Sequence, residues 1–405
     1  MNVSKSFQWI ERHLAPLLVT ALTSLSGQAL ASDGVLDTLQ MHGFLSQALV
    51  ITDDNNVFGP SSEDGGSLKY TEIGANVSLR PHQDLLLAAQ VLSRRAGGDG
   101  SDARPVLDYG VLDYQVVSNQ QRTFGVQLGR SKNPFGFYNQ TRDVAFTRPS
   151  ILLPQSIYFD RTRSLALSGD GITLYHEESL PRGTLRTQVG VGKPQAEDDL
   201  RRTMRLEDTP GDLEPRNSTI AQIKYEHDGG RVIAALSAAS AKARFEPRTS
   251  GLNNGDFHFQ PWILSLQYNA EHWSLTGEYA IRQSTLEGFA RPFLNFDVTG
   301  ESWYVQYVRR FHDDWQWLVR YDSLTSNRDD RSGRSYQESG AGPAHSQFAD
   351  DITLGLQWNA SHRLMLAAEY HHVDGTGWLP VQDNPDPSAT TRRWNMLLFQ
   401  LSLRF

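Results

Sequence analysis

The stretch Leu401-Ser402-Leu403-Arg404-Phe405 decides the fold of this chain. Leu401, Leu403 and Phe405 fall on one face of an extended strand and Ser402 and Arg404 on the other, because successive side chains of a strand point to opposite faces. The pattern predicts a strand with one apolar and one polar face that ends on an aromatic residue. A short alternation of this kind is frequent by chance, so its weight depends on the rest of the chain.

The amino terminus has the pattern of a secretory signal peptide. Lys5 and Arg12 precede an apolar stretch, Leu14–Leu25, which is too short to span a bilayer as a helix. Ala29-Leu30-Ala31 then supplies a cleavage site of small residues, so we expect residues 1–31 to be removed and the mature chain to begin at Ser32. An uncleaved amino-terminal helix is the alternative. Residues 32–405 are expected to form one domain.

Composition excludes several classes of protein. The chain has no cysteine, so it does not rely on disulfides. Its mean hydropathy is −0.46, and after the amino terminus no segment is long and apolar enough for a membrane helix. A transmembrane β-barrel remains open, because only every second residue of its strands faces lipid. The net charge of −8 comes with no dominant basic stripe, so nucleic acid is not an expected partner.

Alternation of period two recurs along the whole chain and predicts sixteen strands. An even number brings both ends of a barrel wall to the same side of the membrane. The predicted strands lie near residues 39–52, 67–80, 83–95, 106–118, 121–131, 165–177, 183–192, 219–228, 231–242, 260–270, 272–284, 301–311, 314–325, 350–360, 363–374 and 391–405.

The connections between these strands alternate in length. Short turns such as Asp228-Gly229-Gly230-Arg231 are separated by eight longer polar segments. Short periplasmic turns and long extracellular loops are typical of bacterial outer-membrane barrels. A soluble all-β sandwich or propeller is the alternative, but it gives no reason for the alternation. The eight longer segments are residues 53–66, 96–105, 132–164, 193–218, 243–259, 285–300, 326–349 and 375–390.

Several predicted strands are clearly two-faced. In the thirteenth, Trp317, Val319 and Tyr321 share one face, and Arg320 and Asp322 share the other. The charged face must point away from lipid, because a charge in the middle of a bilayer is costly. Aromatic residues cluster near strand ends, as in the girdles of membrane barrels; Trp273, Phe311, Trp315 and Trp358 lie near short turns, and Tyr279, Tyr321 and Tyr370 towards long segments.

The terminal Phe405, the strand count and the order of loops together resemble the Gram-negative outer-membrane porins with sixteen strands. The resemblance concerns architecture and includes no residue-level motif. It implies an all-β, transmembrane, antiparallel up-and-down β-barrel of about sixteen strands, whose third extracellular loop folds inward to narrow the channel. It also implies contact with outer-membrane lipid, recognition of Phe405 by the assembly machinery, and a homotrimer.

The third long segment, Lys132–Ser164, carries the candidate constriction residues. It has five basic and two acidic side chains and lacks the acidic constriction motif of the general porins. Its many apolar residues require burial, against the inner wall or against a neighbouring subunit. Arginine and lysine rings select anions, although Arg142 could instead brace the segment through ion pairs. The candidates are Lys132, Arg142, Asp143, Arg148, Asp160, Arg161 and Arg163.

Charged residues on the predicted polar faces of the strands are candidates for the lumen wall. Both signs occur, so the wall either favours anions or sets a transverse field across a weakly selective pore. The candidates are Glu72, Arg94, Asp113, Arg186, Lys224, Glu278, Arg282, Arg320, Asp322 and Glu369, with Glu226 as a further acid.

The sequence therefore predicts a porin, a passive channel for small hydrophilic solutes with a mild anion preference. A channel specific for phosphate-type anions is one alternative, and a non-conducting receptor or adhesin barrel is another. We expect neither catalysis nor a cofactor or metal, because no nucleophile elbow is present and His371 and His372 point to opposite faces of one strand.

Overall fold

The computed structural model describes residues 34–97, 103–160, 163–195, 201, 206, 209–249, 251–289 and 295–405. The predicted signal peptide and its cleavage site lie outside these residues. In the part of the chain that the structure describes, no helix is long and apolar enough to cross a membrane, a finding that does not concern membrane-crossing strands.

Sixteen antiparallel strands form a closed barrel in which each strand pairs with its neighbours in sequence and β16 pairs with β1. This confirms the predicted all-β class, strand number and up-and-down order. The strands are β1 (Gln40–Thr52), β2 (Ser67–His82), β3 (Leu85–Ala96), β4 (Val106–Ser118), β5 (Arg122–Lys132), β6 (Ser168–Leu180), β7 (Gly183–Pro194), β8 (Gly211–His227), β9 (Val232–Pro247), β10 (Gly255–Asn269), β11 (Trp273–Glu287), β12 (Phe296–Phe311), β13 (Trp315–Thr325), β14 (Phe348–Trp358), β15 (Leu364–Gly375) and β16 (Arg393–Arg404).

Helical structure among the described residues is limited to short pieces in the connections. Two single-turn α-helices, α1 (Arg163–Leu167) and α2 (Arg334–Glu338), accompany a few 3-10 turns. The 3-10 turns are Leu36–Thr38, Ala145–Thr147, Arg328–Asp330, Ala344–Gln347 and Pro387–Ala389.

The terminal stretch closes the barrel as its alternation predicts. Ser46 of β1 lies opposite Ser402 of β16, and their hydroxyls are 2.9 Å apart on the buried side. The backbone of Phe405 exchanges two hydrogen bonds of 3.0 Å with Gly43. Gly43 has no side chain, and the Phe405 ring occupies the space that a Cβ atom there would fill. Backbone pairing and aromatic packing thus join β1 to β16 at the two ends of the wall.

The two faces of the wall differ as predicted. In β13 the outward Trp317 is 37% exposed, whereas Arg320 and Asp322 are 1% and 0% exposed on the inner side. Near the short turns, the Trp315 and Trp358 rings stack with centroids 5.4 Å apart. An outer face of exposed aliphatic side chains with aromatic rings at its edge matches a lipid-facing surface.

Strands β8 to β12 extend further towards the long loops than predicted. The predictions began β8 at residue 219 and ended β9 at 242, but these strands pair as far as Gly211 and Pro247. Residues 211–218 are therefore not loop. In this extension the pattern is reversed: Ala243, Phe245 and Phe257 are buried on the inner face, whereas the charged Arg244 and Asp256 are exposed on the outer face, so the segment does not match a lipid-facing strand. Arg248 pairs with Asp212 across the strands at 2.7 Å.

Candidate functional site

Residues 133–167, here called loop 3, are the longest connection among those joining the strands and make extensive contacts with the barrel wall. One anchor is Glu369 of β15, whose carboxylate accepts hydrogen bonds from the backbone N–H groups of Ile151 and Leu152. A second is Arg320 of β13, which donates to the Leu152 carbonyl at 3.0 Å and lies 3.1 Å from the Ser150 hydroxyl. These predicted wall residues therefore hold the middle of loop 3.

Glu278 of β11 is a third anchor. Its carboxylate accepts hydrogen bonds from the hydroxyls of Tyr158 and Tyr304, at 2.6 and 2.9 Å, and from the Phe137 backbone N–H at 2.9 Å. Burial, and then the charge of Glu278, raises the pKa of Tyr158 well above its ordinary value, so the phenol remains a donor at neutral pH. Gly136, at φ +62°, lets the backbone turn beside the Tyr158 hydroxyl.

Further strands contact the same loop. The Gln222 side chain of β8 donates to the Gly136 carbonyl at 3.0 Å, and Ser237 of β9 accepts from the Gly136 N–H at 3.1 Å. Arg282 of β11 donates to the Ser156 carbonyl at 2.6 Å. Loop 3 is thus hydrogen-bonded to wall strands that lie far apart around the barrel.

The apolar side chains of loop 3 are buried within this chain. Ile151 and Leu152 belong to a cluster with Trp378 and Trp394 near the long connections. Tyr158 belongs to a second cluster, together with Phe135, Leu153, Ile157, Ile263, Ala280 and Tyr304. No neighbouring subunit is needed to cover these residues, which was the alternative that the sequence left open.

Among the described residues, the candidate basic side chains of loop 3, together with Lys132 and Arg94, are largely buried and face carboxylates. Arg148 and Arg94 both contact Glu72, at 2.9 and 3.2 Å, and Arg94 also contacts Asp160 at 2.8 Å. Arg142 lies 3.6 Å from the same Asp160 oxygen.

The remainder of this network lies at the ends of loop 3. Lys132 contacts Asp108 at 2.7 Å and pairs with Asp143, which also pairs with Arg163. Asp108 is 3% exposed and was not among the predicted wall residues. A register shift between Gln90 and Val91 changes which face of β4 points inward, so simple alternation missed it.

Arg163 also lies 3.9 Å from Asp160, so one continuous network joins loop 3 to strands β2 to β5. Among the described residues it contains five basic side chains (Arg94, Lys132, Arg142, Arg148 and Arg163) and four carboxylates (Glu72, Asp108, Asp143 and Asp160), so its net charge is +1. Arg161, the remaining predicted constriction residue, lies outside the described residues. The excess positive charge of loop 3 is thus largely balanced by carboxylates of the wall.

The other predicted wall residues lie apart from this network. Asp113 accepts hydrogen bonds from Gln127 and from the Tyr175 hydroxyl. Arg186 contacts Glu177 at 3.3 Å, and Lys224 contacts Glu226 at 2.7 Å, all partly exposed. Asp322 is buried beside Arg320, at 3.7 Å.

The comparisons with known proteins concern fold alone. No protein-family model matches the sequence, and no curated protein matches it. Solved structures do match. An anion-selective porin from Comamonas acidovorans superposes with a TM-score of 0.57 at 12% identity, covering 91% of this chain and 99% of that one. The chain has the fold of the outer-membrane porins.

Two further porin-like structures agree over a similar length. Salmonella typhi OmpF, in complex with daunomycin, gives a TM-score of 0.55 at 13% identity. The outer-membrane channel DcaP of Acinetobacter baumannii gives 0.55 at 11% identity. Both cover 91% of this chain and 97% of their own. A porin fold thus accounts for nearly all of the chain that follows the amino terminus.

Proposed function

We propose that this protein is an outer-membrane porin, a passive channel for small hydrophilic solutes rather than a catalyst. The observation that carries the proposal is the closed barrel of sixteen strands with charged side chains on its inner face. Wall side chains alone do not fill a barrel of this size, so its interior holds water and folded-in chain. The porin fold of the similar solved structures supports the same function.

Loop 3 is proposed to fold inward and to set the size limit of the channel. Its partners Glu72, Glu369, Arg320, Glu278 and Gln222 belong to five different strands. A segment that reaches all five must pass through the interior, where it narrows the passage and limits the size of the solute. Its hydrogen bonds and ion pairs would keep that opening constant.

We propose a mild anion preference, since the network around loop 3 has one more basic than acidic side chain. The porin from Comamonas acidovorans is described as anion-selective. A homotrimer is also proposed, because one structure of Vibrio cholerae OmpT, at a TM-score of 0.52 and 12% identity, is described as a trimer form. Residues 1–31 would direct secretion and then be removed, and Phe405 would be recognised by the assembly machinery.

The decisive experiment is the reversal potential of the purified, folded barrel in a planar bilayer under a KCl gradient. Stepwise conductance that reverses towards the chloride potential is the expected result. Glu72→Gln should move the reversal further towards chloride by removing one carboxylate from the network, while Glu63→Gln in an exposed loop should not. A potassium-selective conductance would overturn the anion preference, and a folded barrel that does not conduct would favour a receptor.

A further inference from the structure

A polar cavity of about 600 Å³ lies between loop 3 and the short-turn ends of strands β10 to β16. Tyr138, Phe146 and Pro149 of loop 3 line one side, and residues at the short turns line the other. The cavity is within the range of volumes that hold small-molecule ligands. It is separate from the ion-pair network, which it meets only at Arg148.

Six carboxamides line this cavity: Gln267, Asn269, Gln306, Gln316, Gln357 and Asn359. Three of them form a chain, in which Gln316 donates to Gln357 at 2.9 Å and Gln357 donates to Asn359 at 3.4 Å. Gln316 also donates to the Pro149 carbonyl at 3.3 Å. These three amides are thereby oriented, and because a carboxamide both donates and accepts, a row of them suits a solute with several hydroxyl groups.

Two further arginines, Arg310 and Arg404, also line the cavity, together with one carboxylate, that of Asp314. Arg310 donates to the carbonyls of Ala270 and Glu271, and Arg404 donates to the His362 carbonyl at 2.7 Å. Within the described residues neither guanidinium contacts a carboxylate, in contrast to the arginines of the network. Arg404 also covers the Phe146 ring at 4.4 Å, which holds its head group at the cavity. Two oriented positive charges are therefore available to a solute.

We propose that this cavity is a transient binding site for a small polyhydroxylated carboxylate, such as a sugar acid, on its way through the channel. Its carboxylate would accept hydrogen bonds from Arg310 and Arg404, and its hydroxyls would exchange hydrogen bonds with the carboxamides. A chloride or phosphate ion would leave most of the cavity and its amides unused. Exposed arginines in an open cavity bind weakly, as conduction requires, because a solute must also leave.

This proposal rests on the proposed channel function and is tested with D-gluconate on single channels in a planar bilayer. Gluconate, added to each side in turn, should interrupt the ion current. Sorbitol, which has only the hydroxyls, and butyrate, which has only the carboxylate, should each act at least about tenfold more weakly, since a charge-assisted hydrogen bond is lost or the amides remain unpaired.

The double variant Arg310→Gln/Arg404→Gln should raise the half-effective gluconate concentration by about tenfold or more. Arg309→Gln is the matched control, because Arg309 is adjacent, carries the same charge, and lies opposite Trp273 and Trp317 on the outer face. If the double variant assembles poorly, Arg310→Gln alone serves the same purpose. Normal conductance without gluconate interruptions, equal action of sorbitol, or an unaffected double variant would each overturn the proposal.

Calorimetry of gluconate binding to the folded barrel in detergent tests the binding site independently of the channel function. Binding by a barrel that does not conduct would support the site and reject the channel. Conduction without gluconate binding would keep the channel and reject the site.

Discussion

Two arginine–carboxylate pairs of this barrel have nearly the same distance between nitrogen and oxygen, but one pair is buried and the other is exposed to solvent. Arg148 lies 2.9 Å from Glu72, with the two side chains 3% and 1% exposed. Arg248 lies 2.7 Å from Asp212, with the two side chains 70% and 58% exposed. Arg248 even makes the more complete contact, through both Nε and Nη2.

The difference lies in what remains when one partner is removed. Without Asp212, Arg248 is solvated by water. Without Glu72, Arg148 of loop 3 remains buried with its charge uncompensated, which is far more costly than the loss of the contact itself. Burial rather than distance therefore decides which ion pairs hold the structure, and loop 3 takes part in several of the buried ones.

The largest expected effect is that of Glu72→Ala. It leaves Arg94 and Arg148 without their shared carboxylate, and we expect a loss of about 3–5 kcal/mol in the free energy of unfolding. Denaturant unfolding in detergent measures it, with Glu63→Ala as an exposed glutamate control. Single-channel conductance should also rise and become noisier as loop 3 loosens. An unchanged unfolding midpoint would show that the buried pair does not differ from the exposed one.

Glu278→Ala tests the other end of loop 3. It removes the acceptor of the Tyr158 and Tyr304 hydroxyls and of the Phe137 N–H, and we expect a loss of about 3 kcal/mol because buried donors are left unpaired. Glu278→Gln should recover part of this loss, since its carbonyl oxygen still accepts. Glu287→Ala, at the exposed end of the same strand, is the control. Equal stability of the alanine and glutamine variants would argue against the anchor.

Gly136→Ala tests how tightly loop 3 is packed, because it adds one methyl group to the loop. The residue has φ +62°, and the added Cβ atom would lie 2.3 Å from the Tyr158 hydroxyl. The left-handed backbone alone costs about 1–2 kcal/mol, and we expect a larger loss because the clash disturbs Tyr158. Gly229→Ala has the same backbone conformation, at φ +65°, with nothing within 4 Å. Equal losses in the two variants would mean that the loop adapts to the methyl group.

The smallest expected effect is that of Arg248→Ala. The exposed pair with Asp212 should contribute less than about 1 kcal/mol, and this should decrease further in high salt. A double-mutant cycle with Asp212→Ala gives the coupling energy directly. A coupling as large as that between Arg148 and Glu72 would reject burial as the deciding factor.

The wall was predictable because its pattern is local. A lipid-facing strand must alternate, and the faces of β13 could be read from Trp317, Val319 and Arg320 alone. The extended ends of β8 to β12 could not be read in this way, since their apolar side chains face inward and their charged side chains face outward, the reverse of a lipid-facing strand. Asp108 was missed because a register shift changes the face on which it lies.

The sequence predicted which residues belong to the candidate site, but not how these residues pair with one another. Charge and position in the sequence identified Arg148 of loop 3 and the wall residues Glu72, Glu278 and Glu369. In the structure all three wall residues contact loop 3. Which carboxylate faces which arginine depends on the path of the loop, and no sequence spacing encodes it. Arg310 and Arg404 were not candidates, since nothing in the sequence shows that their charges lack a carboxylate partner.

Ile151 of loop 3 and its acceptor Glu369 are 218 residues apart in the chain. Contacts between residues so far apart form late, because a long stretch of chain must first be ordered. Glu369 lies in β15, the last strand but one, whereas loop 3 follows β5, so their contact joins early and late parts of the chain. Contacts with β2 to β5 can hold part of loop 3 earlier, but this anchor requires both ends of the wall to be in place. During assembly we therefore expect a stage in which most of the wall is paired and the middle of loop 3 is not yet held in place.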